Sequence, residues 1–524
     1  MNRKLSIEIL AGIAVLLCTV WPAAAQITLA PHTMTRVGSV DPRFQSYNVE
    51  MVEVTGGRFW KPYASAAQAA PAHSNLTTPG GIDPSLYQYR PPLDMGNERL
   101  RKLAAALGPA YIRVSGTWAN SAYFQDSDGS VPAAPPKGFG TVLTRAEWKG
   151  VVDFAHAANA QIVTSFAISA GTRNEEGVWT PEQARAFLDY TKSVGGSIAA
   201  AEFMNEPTFA AMGGAPRGYS AADYARDFAV FHTFIRGAAP QMILLGPGGV
   251  GEGTALTAGG AMHTLASADI LAATGPVFDV ISYHSYAAVS SRCGMLGAAA
   301  TTTEGAALSA DWLERGGHME AYYAALRDRF EPGKPIWNTE TGQAACGGDR
   351  WASTFIDTFR YLDQLGDLAR RGVQVQMENT LNASDYGLLD EDTYEPRPDY
   401  WAALLWHTLM GTTVLDPGAP QTGNLYVYAH CLPGSRGGVA VLAINADQTA
   451  SATMAVPRGA QRYTLSADHL TDANAKLNGT VLALGAGDSL PPLTSLAVKS
   501  GSVDLAPASI TFLAFPHARN ASCR

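Results

Sequence analysis

The sequence predicts a (β/α)8 barrel followed by an all-β sandwich domain. Eight short apolar runs alternate with helix-like segments between residues 44 and 410, and strand–helix alternation repeated eight times is typical of this barrel. The runs are too apolar for half-exposed strands and fit a buried parallel sheet. After residue 411 the pattern changes to short β-prone runs separated by turns. We therefore expect the barrel over residues 41–411 and the sandwich over residues 412–524.

The elements of the predicted barrel follow one another in a regular order. The eight predicted strands are Phe44–Glu50, Ala110–Ser115, Gln161–Ile168, Ile198–Glu206, Met242–Pro247, Asp279–Tyr286, Lys334–Glu340 and Gly372–Asn379. The predicted helices are Asn97–Leu107, Arg145–Ala160, Pro181–Val194, Ala221–Ala239, Trp312–Asp328, Trp351–Arg371 and Asp399–Met410. A flat, doubly wound sheet is the alternative, but no Gly-rich dinucleotide turn follows the first run.

The C-terminal part reads as short strands with turns between them. The clearest β-prone runs are Leu425–Cys431, Val439–Asn445, Arg462–Leu465 and Ser509–Phe515. Near the N-terminus, Ile27–Val40 is also strand-like, and we expect residues 26–40 to join the sandwich. Two long segments, Thr55–Pro92 and Ala287–Asp311, are rich in Ala, Gly, Ser and Pro. Loops of that length are either functional or mobile.

Composition and charge restrict the class of protein. Of 524 residues, 47% are apolar and 16% charged, which fits a well-buried globular protein rather than a disordered one. The formal net charge is -9, and the sequence contains no basic run of the kind that binds nucleic acid or highly sulfated polymers. We therefore expect no nucleic-acid partner.

The N-terminus resembles an export signal. Arg3 and Lys4 precede the apolar run Ile9–Trp21, and Ala23–Ala25 provides a cleavage site, so residues 1–25 are the predicted signal peptide. An uncleaved membrane anchor is the alternative, although the run is short for a bilayer. We expect a secreted or periplasmic protein without a membrane segment after cleavage.

Four cysteines follow the predicted signal, namely Cys293, Cys346, Cys431 and Cys523. An even number in an exported chain indicates two disulfides, and the count alone leaves three possible pairings.

Two glutamates end predicted barrel strands. Glu206 ends the fourth run within Asn205-Glu206-Pro207, and Glu340 ends the seventh run. In a barrel both would lie at the C-terminal mouth, where catalytic groups are found. Asn205 can also hydrogen-bond a sugar hydroxyl. The alternative is that either glutamate is a surface or ion-paired residue.

A pair of carboxyl groups across a barrel mouth suits glycosidic cleavage. One group must be protonated to assist the departing oxygen, and the other must be ionised to attack the anomeric carbon. Proximity of the two groups raises the pKa of one of them. Because the sequence has neither H-E-x-x-H nor C-x-x-C spacing, we expect no metal and no cofactor.

Several ordered segments resemble the heparanase/β-glucuronidase family, glycoside hydrolase family 79. The residues that carry the resemblance are Asp41–Phe44, Ala110–Thr117, Asn205–Pro207, Thr339–Glu340, Gly347–Gly348, Asp357–Phe359, Tyr361–Gly366, Tyr386–Asp390 and Pro398–Trp401. The resemblance covers about residues 41 to 415, and the set from Glu340 onwards is the more specific.

The resemblance implies roles for matching positions. Glu206 corresponds to the acid/base and Glu340 to the nucleophile, and Tyr286 to a tyrosine whose phenol can hold Glu340 ionised. The positions that line the family's sugar subsite are Glu50, Thr117, Asn205, Asn379 and Tyr386. From burial habits alone, Tyr286 and Tyr386 are alternatively core aromatics. Glu50 stands where heparanase has a shorter acid, and Asn379 where it has Gln.

The resemblance also bears on the disulfides. The family pairs cysteines at places similar to Cys431 and Cys523, which flank the β domain. Cys293 and Cys346 lie on the loops after the predicted strands six and seven, which are neighbours at the barrel mouth. We therefore predict the pairs Cys293–Cys346 and Cys431–Cys523.

A glycine pair follows the predicted nucleophile. Glycines let the backbone approach a ligand, and successive N–H groups can form an anion-binding nest, so we expect Gly347 and Gly348 to contact a sugar carboxylate. In the family a tyrosine precedes this pair, whereas here Cys346 occupies that place. An ordinary turn is the alternative, since Gly-Gly is a common turn dipeptide.

Two segments depart from heparanase. The segment 120–144 is too short to contain the excised linker of that enzyme, so we expect a single intact chain. The segment 169–177 is nearly neutral to acidic where heparanase presents basic residues, which favours exo over endo action. The favoured hypothesis is a retaining exo-β-glucuronidase that acts on β-linked glucuronic acid. The alternatives are an endo-β-glucuronidase of the heparanase or hyaluronidase kind and a non-catalytic sugar-binding protein.

Overall fold

The barrel predicted from the sequence is present. The computed structural model describes residues 27–63, 82–255, 264–296, 298–419, 423–457 and 459–524. Eight parallel strands close into a barrel, in which each strand lies between its neighbours in the sequence and the eighth pairs with the first. In chain order the barrel strands are Gln45–Glu50, Ala110–Ser115, Ala160–Ser165, Ile198–Glu202, Ile243–Val250, Val280–Tyr286, Ile336–Gly342 and Val375–Glu378.

The C-terminal ends of four barrel strands differ from the prediction by two or more residues. The third strand ends at Ser165 rather than at Ile168. The fourth strand ends at Glu202 rather than at Glu206, because the chain turns there and Glu206 takes a left-handed conformation with φ 45°. The fifth and seventh strands run beyond their predicted ends, to Val250 and to Gly342. Glu206 therefore lies on the loop above the fourth strand, whereas Glu340 lies within the seventh.

Helices follow most of the barrel strands. The α-helices among the described residues are Met51–Thr55, Glu98–Ala105, Arg145–Ala157, Glu182–Ser193, Ala221–Ala238, Ser267–Thr274, Ala310–Phe330, Asp357–Arg371 and Pro398–Leu409. Capping boxes at Thr144 and Ser220 explain two of the helix starts. Each side-chain hydroxyl accepts a hydrogen bond from the N3 amide, and the backbone amide of the same residue donates to the N3 carboxylate.

One predicted helix begins later than expected. The helix expected from Trp351 starts at Asp357, because the preceding residues are held against the β-rich part of the chain. The amides of Phe355 and Ile356 donate to the carbonyl oxygens of Asp472 and Leu470, at 2.9 and 2.8 Å. These bonds compete with the start of a helix.

The long segment expected to be a loop contains a hairpin. Gly57–Trp60 pairs antiparallel with Tyr87–Arg90, and residues 64–81 between them lie outside the described residues. A second small sheet pairs Ala122–Gln125 with Thr141–Thr144. Short 3-10 turns occupy parts of the other long segment, at Ser291–Leu296, Ala298–Ala300 and Glu304–Ala306.

The C-terminal part forms two sheets, as an all-β region should. The larger sheet has nine strands, Arg36–Ser39, Thr413–Leu415, Leu425–Cys431, Val439–Asn445, Ser509–Phe515, Ala460–Ser466, Lys476–Leu477, Thr480–Val481 and Leu496–Val498. The smaller sheet has three strands, Ile27–Thr28, Ala452–Val456 and Gly501–Leu505.

The two sheets bury a common apolar cluster and take up the N-terminal residues. Ile27, Met454 and Val503 of the smaller sheet pack with Val441 and Leu513 of the larger one. Before residue 41, Ile27–Thr28 pairs with the strand Ala452–Val456, and Arg36–Ser39 pairs with Thr413–Leu415. The predicted signal peptide lies outside the described residues, and the domain boundaries stay predictions.

Two disulfides join the cysteines in the predicted pairs. Cys293 is bonded to Cys346 across the loops after barrel strands six and seven, and Cys431 is bonded to Cys523 at the edge of the β region. In the part of the chain that the structure describes, no helix is long and apolar enough to cross a membrane.

Candidate active site

A cavity opens at the C-terminal end of the barrel and gathers most of the predicted site residues. Both predicted catalytic glutamates and six of the predicted sugar-site residues line it, namely Glu206, Glu340, Glu50, Thr117, Asn205, Tyr286, Asn379 and Tyr386. Trp60, Trp118 and Phe209 add aromatic surface to the wall. The cavity thus combines carboxyl groups with flat apolar faces, as sugar-binding clefts do.

Glu206 is held above the fourth strand by a rigid turn. The amide of Asn205 donates to Oδ1 of Asn120 at 2.8 Å, and Nδ2 of Asn120 donates to the Asn205 carbonyl at 2.9 Å. Asn120 is fully buried, so these two bonds lock the backbone directly before Glu206. Pro207 then starts a short 3-10 turn. The carboxyl group is about one-fifth exposed and reaches the cavity.

Glu340 points into the cavity from the seventh strand and both its oxygens accept hydrogen bonds. Nη1 of Arg113 donates to Oε2 at 2.8 Å, and the hydroxyl of Tyr286 donates to Oε1 at 2.7 Å. Arg113 comes from the second strand and Tyr286 from the end of the sixth. The Glu340 carboxylate is therefore fixed in orientation from two sides.

The two glutamates lie close together with a histidine beside them. One oxygen of Glu206, one oxygen of Glu340 and a ring nitrogen of His284 all lie within 4.8 Å of one another. Burial and the nearby Glu340 raise the pKa of Glu206, although His284 and Arg113 act in the opposite direction. A carboxyl group with a raised pKa next to a charged carboxylate is the arrangement expected of an acid and a nucleophile.

A buried charge network lies beneath the two glutamates. Arg113 donates to Glu202 at 2.8 Å and to Asn205 Oδ1 at 2.8 Å, and Glu202 also accepts from Thr339 at 2.7 Å. Burial would raise the pKa of Glu202, but the charges and hydrogen bonds of Arg113 and His284 together outweigh it, and the pKa lies below its ordinary value. Glu202 and Arg113 therefore form a permanent ion pair that anchors the site.

His284 links this network to the cavity. Its Nδ1 lies 3.1 Å from Oε1 of Glu206. Burial would lower its pKa, but the charge of Glu340 and hydrogen bonds to Glu202 and Glu206 raise the pKa of His284 to about 9. This contact with Glu206 places His284 in the site. Arg113 and Glu202 were not predicted as site residues. The available signal was a charged residue within an otherwise apolar strand.

The same three groups offer potential metal donors. Glu206, His284 and Glu340 could each supply one ligand atom. However, the Arg113 guanidinium lies 2.8 Å from Glu340 and 3.2 Å from His284. A fixed positive charge at that distance opposes a second cation, so the arrangement suits proton transfer better than metal binding.

Asn379 connects the residues on the sugar side of the cavity. Its Nδ2 lies 2.9 Å from the hydroxyl of Tyr286, 3.2 Å from that of Tyr386 and 3.2 Å from Oε1 of Glu50. Burial raises the pKa values of the Tyr286 and Tyr386 phenols well above the ordinary value of tyrosine, so both phenols stay protonated. Tyr286 and Tyr386 are thus hydrogen-bonded members of the cavity wall.

Glu50 fits into the cavity wall because residue 116 is a glycine. Gly116 has φ 87°, and a Cβ there would overlap Oε2 of Glu50. Burial, and then the charge of Glu340, raise the pKa of Glu50 well above its ordinary value. The longer acid at this position is therefore accommodated by the missing side chain of Gly116.

The predicted glycine pair lies behind the cavity wall. Ala345 and Cys346 line the cavity, whereas Gly347 and Gly348 do not appear in its lining, and the amide of Gly348 donates to the Ala344 carbonyl at 3.0 Å. A Cβ on Gly347 would overlap Trp60 and Ser384. The expectation that both glycine amides form an anion-binding nest is therefore wrong for Gly348, whose N–H is already used.

Two further buried acids are ion-paired. Glu378 accepts from Arg360 at 2.8 Å, and Asp385 accepts from Arg292 at 2.6 Å. Both pairs are buried, and we assign them to structure rather than to chemistry.

Comparison with solved structures shows glycosidase folds. A 4-O-α-L-rhamnosyl-β-D-glucuronidase from Fusarium oxysporum, solved as a Rha-GlcA complex, aligns with a TM-score of 0.62 at 14% identity, over 93% of this chain and 99% of that one. A GH51 arabinofuranosidase from Xanthomonas axonopodis pv. citri aligns with a TM-score of 0.59 at 16% identity, over 92% and 99%. At such identities the likeness concerns the fold.

Sequence comparisons are more specific. The model of the glycosyl hydrolase family 79 N-terminal domain matches residues 92–366. Heparanase-like protein 1 of Arabidopsis thaliana is 30% identical over 389 residues, 70% of this chain and 67% of that protein. Mouse heparanase is 27% identical over 88% of this chain and 98% of its own length. Baicalin-beta-D-glucuronidase of Scutellaria baicalensis is 36% identical over 34% of this chain and 36% of its own length.

Barrel, site and relatives together define the class of protein, which is a glycoside hydrolase. Within that class, the chain belongs to glycosyl hydrolase family 79.

Proposed function

We propose that the protein is a secreted or periplasmic retaining exo-β-glucuronidase with Glu206 as acid/base and Glu340 as nucleophile. The distance between these two groups carries the proposal. Retaining glycosidases hold their carboxyl groups about 5–5.5 Å apart, whereas inverting enzymes need about 6.5–9.5 Å to admit a water. One oxygen of Glu206 lies within 4.8 Å of one oxygen of Glu340, which supports the shorter separation of a retaining enzyme.

The reaction would proceed in two displacements. In the first, Glu206 gives its proton to the glycosidic oxygen while Glu340 attacks the anomeric carbon, which releases the alcohol and forms a glycosyl ester. In the second, Glu206 takes a proton from water, the water oxygen attacks the same carbon and Glu340 leaves as a carboxylate. Arg113 and Tyr286, at 2.8 and 2.7 Å, stabilise that departing carboxylate.

An acidic sugar is compatible with the charges in the cavity. Burial and then the charge of Glu340 raise the pKa values of Glu50 and Glu206, which shifts both groups toward their neutral forms. The positive charge of Arg113 opposes the charges of Glu202 and Glu340, to which it is hydrogen-bonded. A substrate carboxylate would not meet a negatively charged site, and relatives of this chain include proteins named as a glucuronidase and as heparanases.

The charge of the segment 169–177 supports exo action on small glucuronides over endo cleavage of a sulfated polymer. Arg173, within the segment where heparanase presents basic residues, pairs at 2.6 Å with the buried Asp227. It therefore offers little charge to a polymer. The two disulfides fit an oxidising compartment, which supports export.

An aryl β-glucuronide assay tests the proposal. Hydrolysis should exceed that of the matching β-glucoside by orders of magnitude, and NMR should show the β-anomer of glucuronic acid as the first product. Initial release of the α-anomer would rule out the retaining mechanism. Depolymerisation of heparan sulfate or hyaluronan in place of small-glucuronide hydrolysis would favour endo action, and sugar binding without turnover would favour a non-catalytic protein.

A further inference from the structure

A second cavity adjoins the catalytic one. The two share the lining residues Val250, Tyr286, Val289 and Ala345, and they are of similar size, about 890 Å³ for the second and about 910 Å³ for the first including their open mouths. Because Tyr286 also bonds Glu340, the second cavity begins at the reacting centre itself.

The second cavity lies on the side where the leaving group would depart. The residues on the sugar side, Glu50, Asn379 and Tyr386, come from the first and eighth barrel strands and the loop that follows. The second cavity is formed instead after strands five and six, next to the loop of strand four that carries Glu206. A sugar held between the two glutamates would direct its glycosidic oxygen and leaving group toward this side.

The lining of the second cavity is mostly small and apolar. It includes Ala255, Ala287, Ala288, Ala299, Ala300 and Met319. Hydroxyl groups of a second sugar ring would lose water there and find few partners, which costs free energy for each unsatisfied group. A flat aromatic ring loses no hydrogen bonds and gains contact with the methyl groups.

Its rim provides a fixed cation. Arg315 donates to the Ala287 carbonyl at 2.9 Å and to Asp311 at 2.7 Å, and its guanidinium lies 5.3 Å from the centre of the Trp312 ring. These contacts hold the guanidinium at the edge of the cavity, where it can face an aromatic ring or a phenolic oxygen. His318 lies on the same helix and also lines the cavity.

We propose that this second cavity binds the leaving group and takes a planar aromatic alcohol. The inference rests on the proposed β-glucuronidase function and adds its substrate class, the β-glucuronides of aromatic alcohols with more than one ring. The alanine surface gives the cavity its preference for a flat ring, and Arg315 orients polar substituents at the rim.

Ala299 offers a test that spares the catalytic residues. It lies on the cavity wall and is exposed, so a large side chain can be placed there without opening the core. Ala299→Trp should lower kcat/KM for 2-naphthyl β-glucuronide by about tenfold or more, which corresponds to about 1.4 kcal/mol of lost interaction. Methyl β-glucuronide should be hydrolysed as by the wild type, since its leaving group does not reach the wall. Free 2-naphthol should bind the wild type and bind Ala299→Trp more weakly, by calorimetry.

Ala325→Trp is the matched control, because Ala325 is exposed on the Arg315 helix and does not line the cavity. This control variant should leave kcat/KM unchanged for both substrates. An equal loss on both substrates in Ala299→Trp would overturn the inference. A preference of the wild type for a glucuronyl disaccharide over 2-naphthyl β-glucuronide, lost in Ala299→Trp, would also overturn the inference, because the cavity would then bind a sugar. Lack of hydrolysis of every β-glucuronide would contradict the proposed function instead, and 2-naphthol binding would still test the cavity.

Discussion

Nδ1 of His284 lies 3.1 Å from Oε1 of Glu206, so the imidazole contacts the proposed acid/base directly. This contact lowers the pKa of Glu206 against the opposing effects of burial and Glu340. Catalysis requires protonated Glu206, so kcat/KM should fall as pH rises through its pKa. His284→Gln removes the charge that lowers this pKa, and the alkaline limb should move to higher pH. The matched control is His156→Gln, because His156 is exposed. An alkaline limb that stays at the pH of the control, or moves to lower pH, would contradict this role of His284.

Substitution of the two glutamates should separate their roles. Glu340→Gln should lower kcat by about a thousandfold or more on every β-glucuronide, because the attacking group is lost. Glu206→Gln should lower kcat for alkyl glucuronides by about 10²–10⁴-fold. For aryl glucuronides with acidic leaving groups, the rate of the first step should fall much less, because these leaving groups need little protonation. Steady-state and single-turnover rates check this. Equal losses of both variants on all leaving groups would be inconsistent with the assignment.

Gly116→Ala should damage the sugar side of the cavity. A Cβ at this position overlaps Oε2 of Glu50, and φ of 87° disfavours any side chain. Gly218→Ala is the matched control, because Gly218 has φ 77° and open space around its Cβ position. We expect Gly116→Ala to raise KM for β-glucuronides while Gly218→Ala does not. Adding Glu50→Asp to Gly116→Ala should recover part of the loss, since the shorter acid leaves room for the methyl group.

Breaking the Arg113–Glu202 pair should destabilise the fold. Both side chains are at least 99% buried, and Arg113→Met leaves the charge of Glu202 without its partner. We expect a loss of about 3–5 kcal/mol in the free energy of unfolding, measured by urea denaturation. The double variant Arg113→Met/Glu202→Gln should be more stable than the single one, because the buried charge of Glu202 is removed together with that of Arg113. If the double variant is the less stable, the pair does not act as described.

The two disulfides should differ in their effect on activity. Replacing either pair with serine should cost about 4 kcal/mol, because loops of 53 and 92 residues are closed. Loss of Cys293–Cys346 should also lower kcat/KM, since Cys346 and Ala345 line the catalytic cavity. Loss of Cys431–Cys523, in the β region, should leave kcat/KM unchanged. A reversed pattern, measured at a temperature where both variants are folded, would contradict this difference.

Much of the barrel could be predicted because buried parallel strands are continuous apolar runs. The alternation of these runs with helices fixed the number and order of the eight strands, and with them the placement of Glu206 and Glu340 at one end. The ends of strands were less predictable. Ile198–Glu202 stops before the expected residue because Glu206 adopts a left-handed conformation, which residue type alone does not indicate.

Contacts between distant strands could not be read from local patterns. Arg113 joins Glu202 and Glu340 across the barrel interior, and only closure of the barrel brings these three residues together. The space beside Gly116 for Glu50 is likewise a property of neighbouring strands. The hairpin of Gly57–Trp60 with Tyr87–Arg90 was missed because the Ala-, Gly- and Ser-rich segment between them dominated the pattern.

The strands before the barrel have a consequence for how the chain reaches its native state. Arg36–Ser39 pairs with Thr413–Leu415, and Ile27–Thr28 pairs with Ala452–Val456. Nδ2 of Asn520 also donates to the carbonyl oxygens of Pro31 and Met34. Residues 27–39 therefore find these partners only after the segments around residues 413, 454 and 520 have been synthesised. During synthesis or export, Ile27–Thr28 and Arg36–Ser39 remain unpaired strands until then. A chain shortened at its C-terminus would leave these strands exposed to pairing with other molecules and to aggregation.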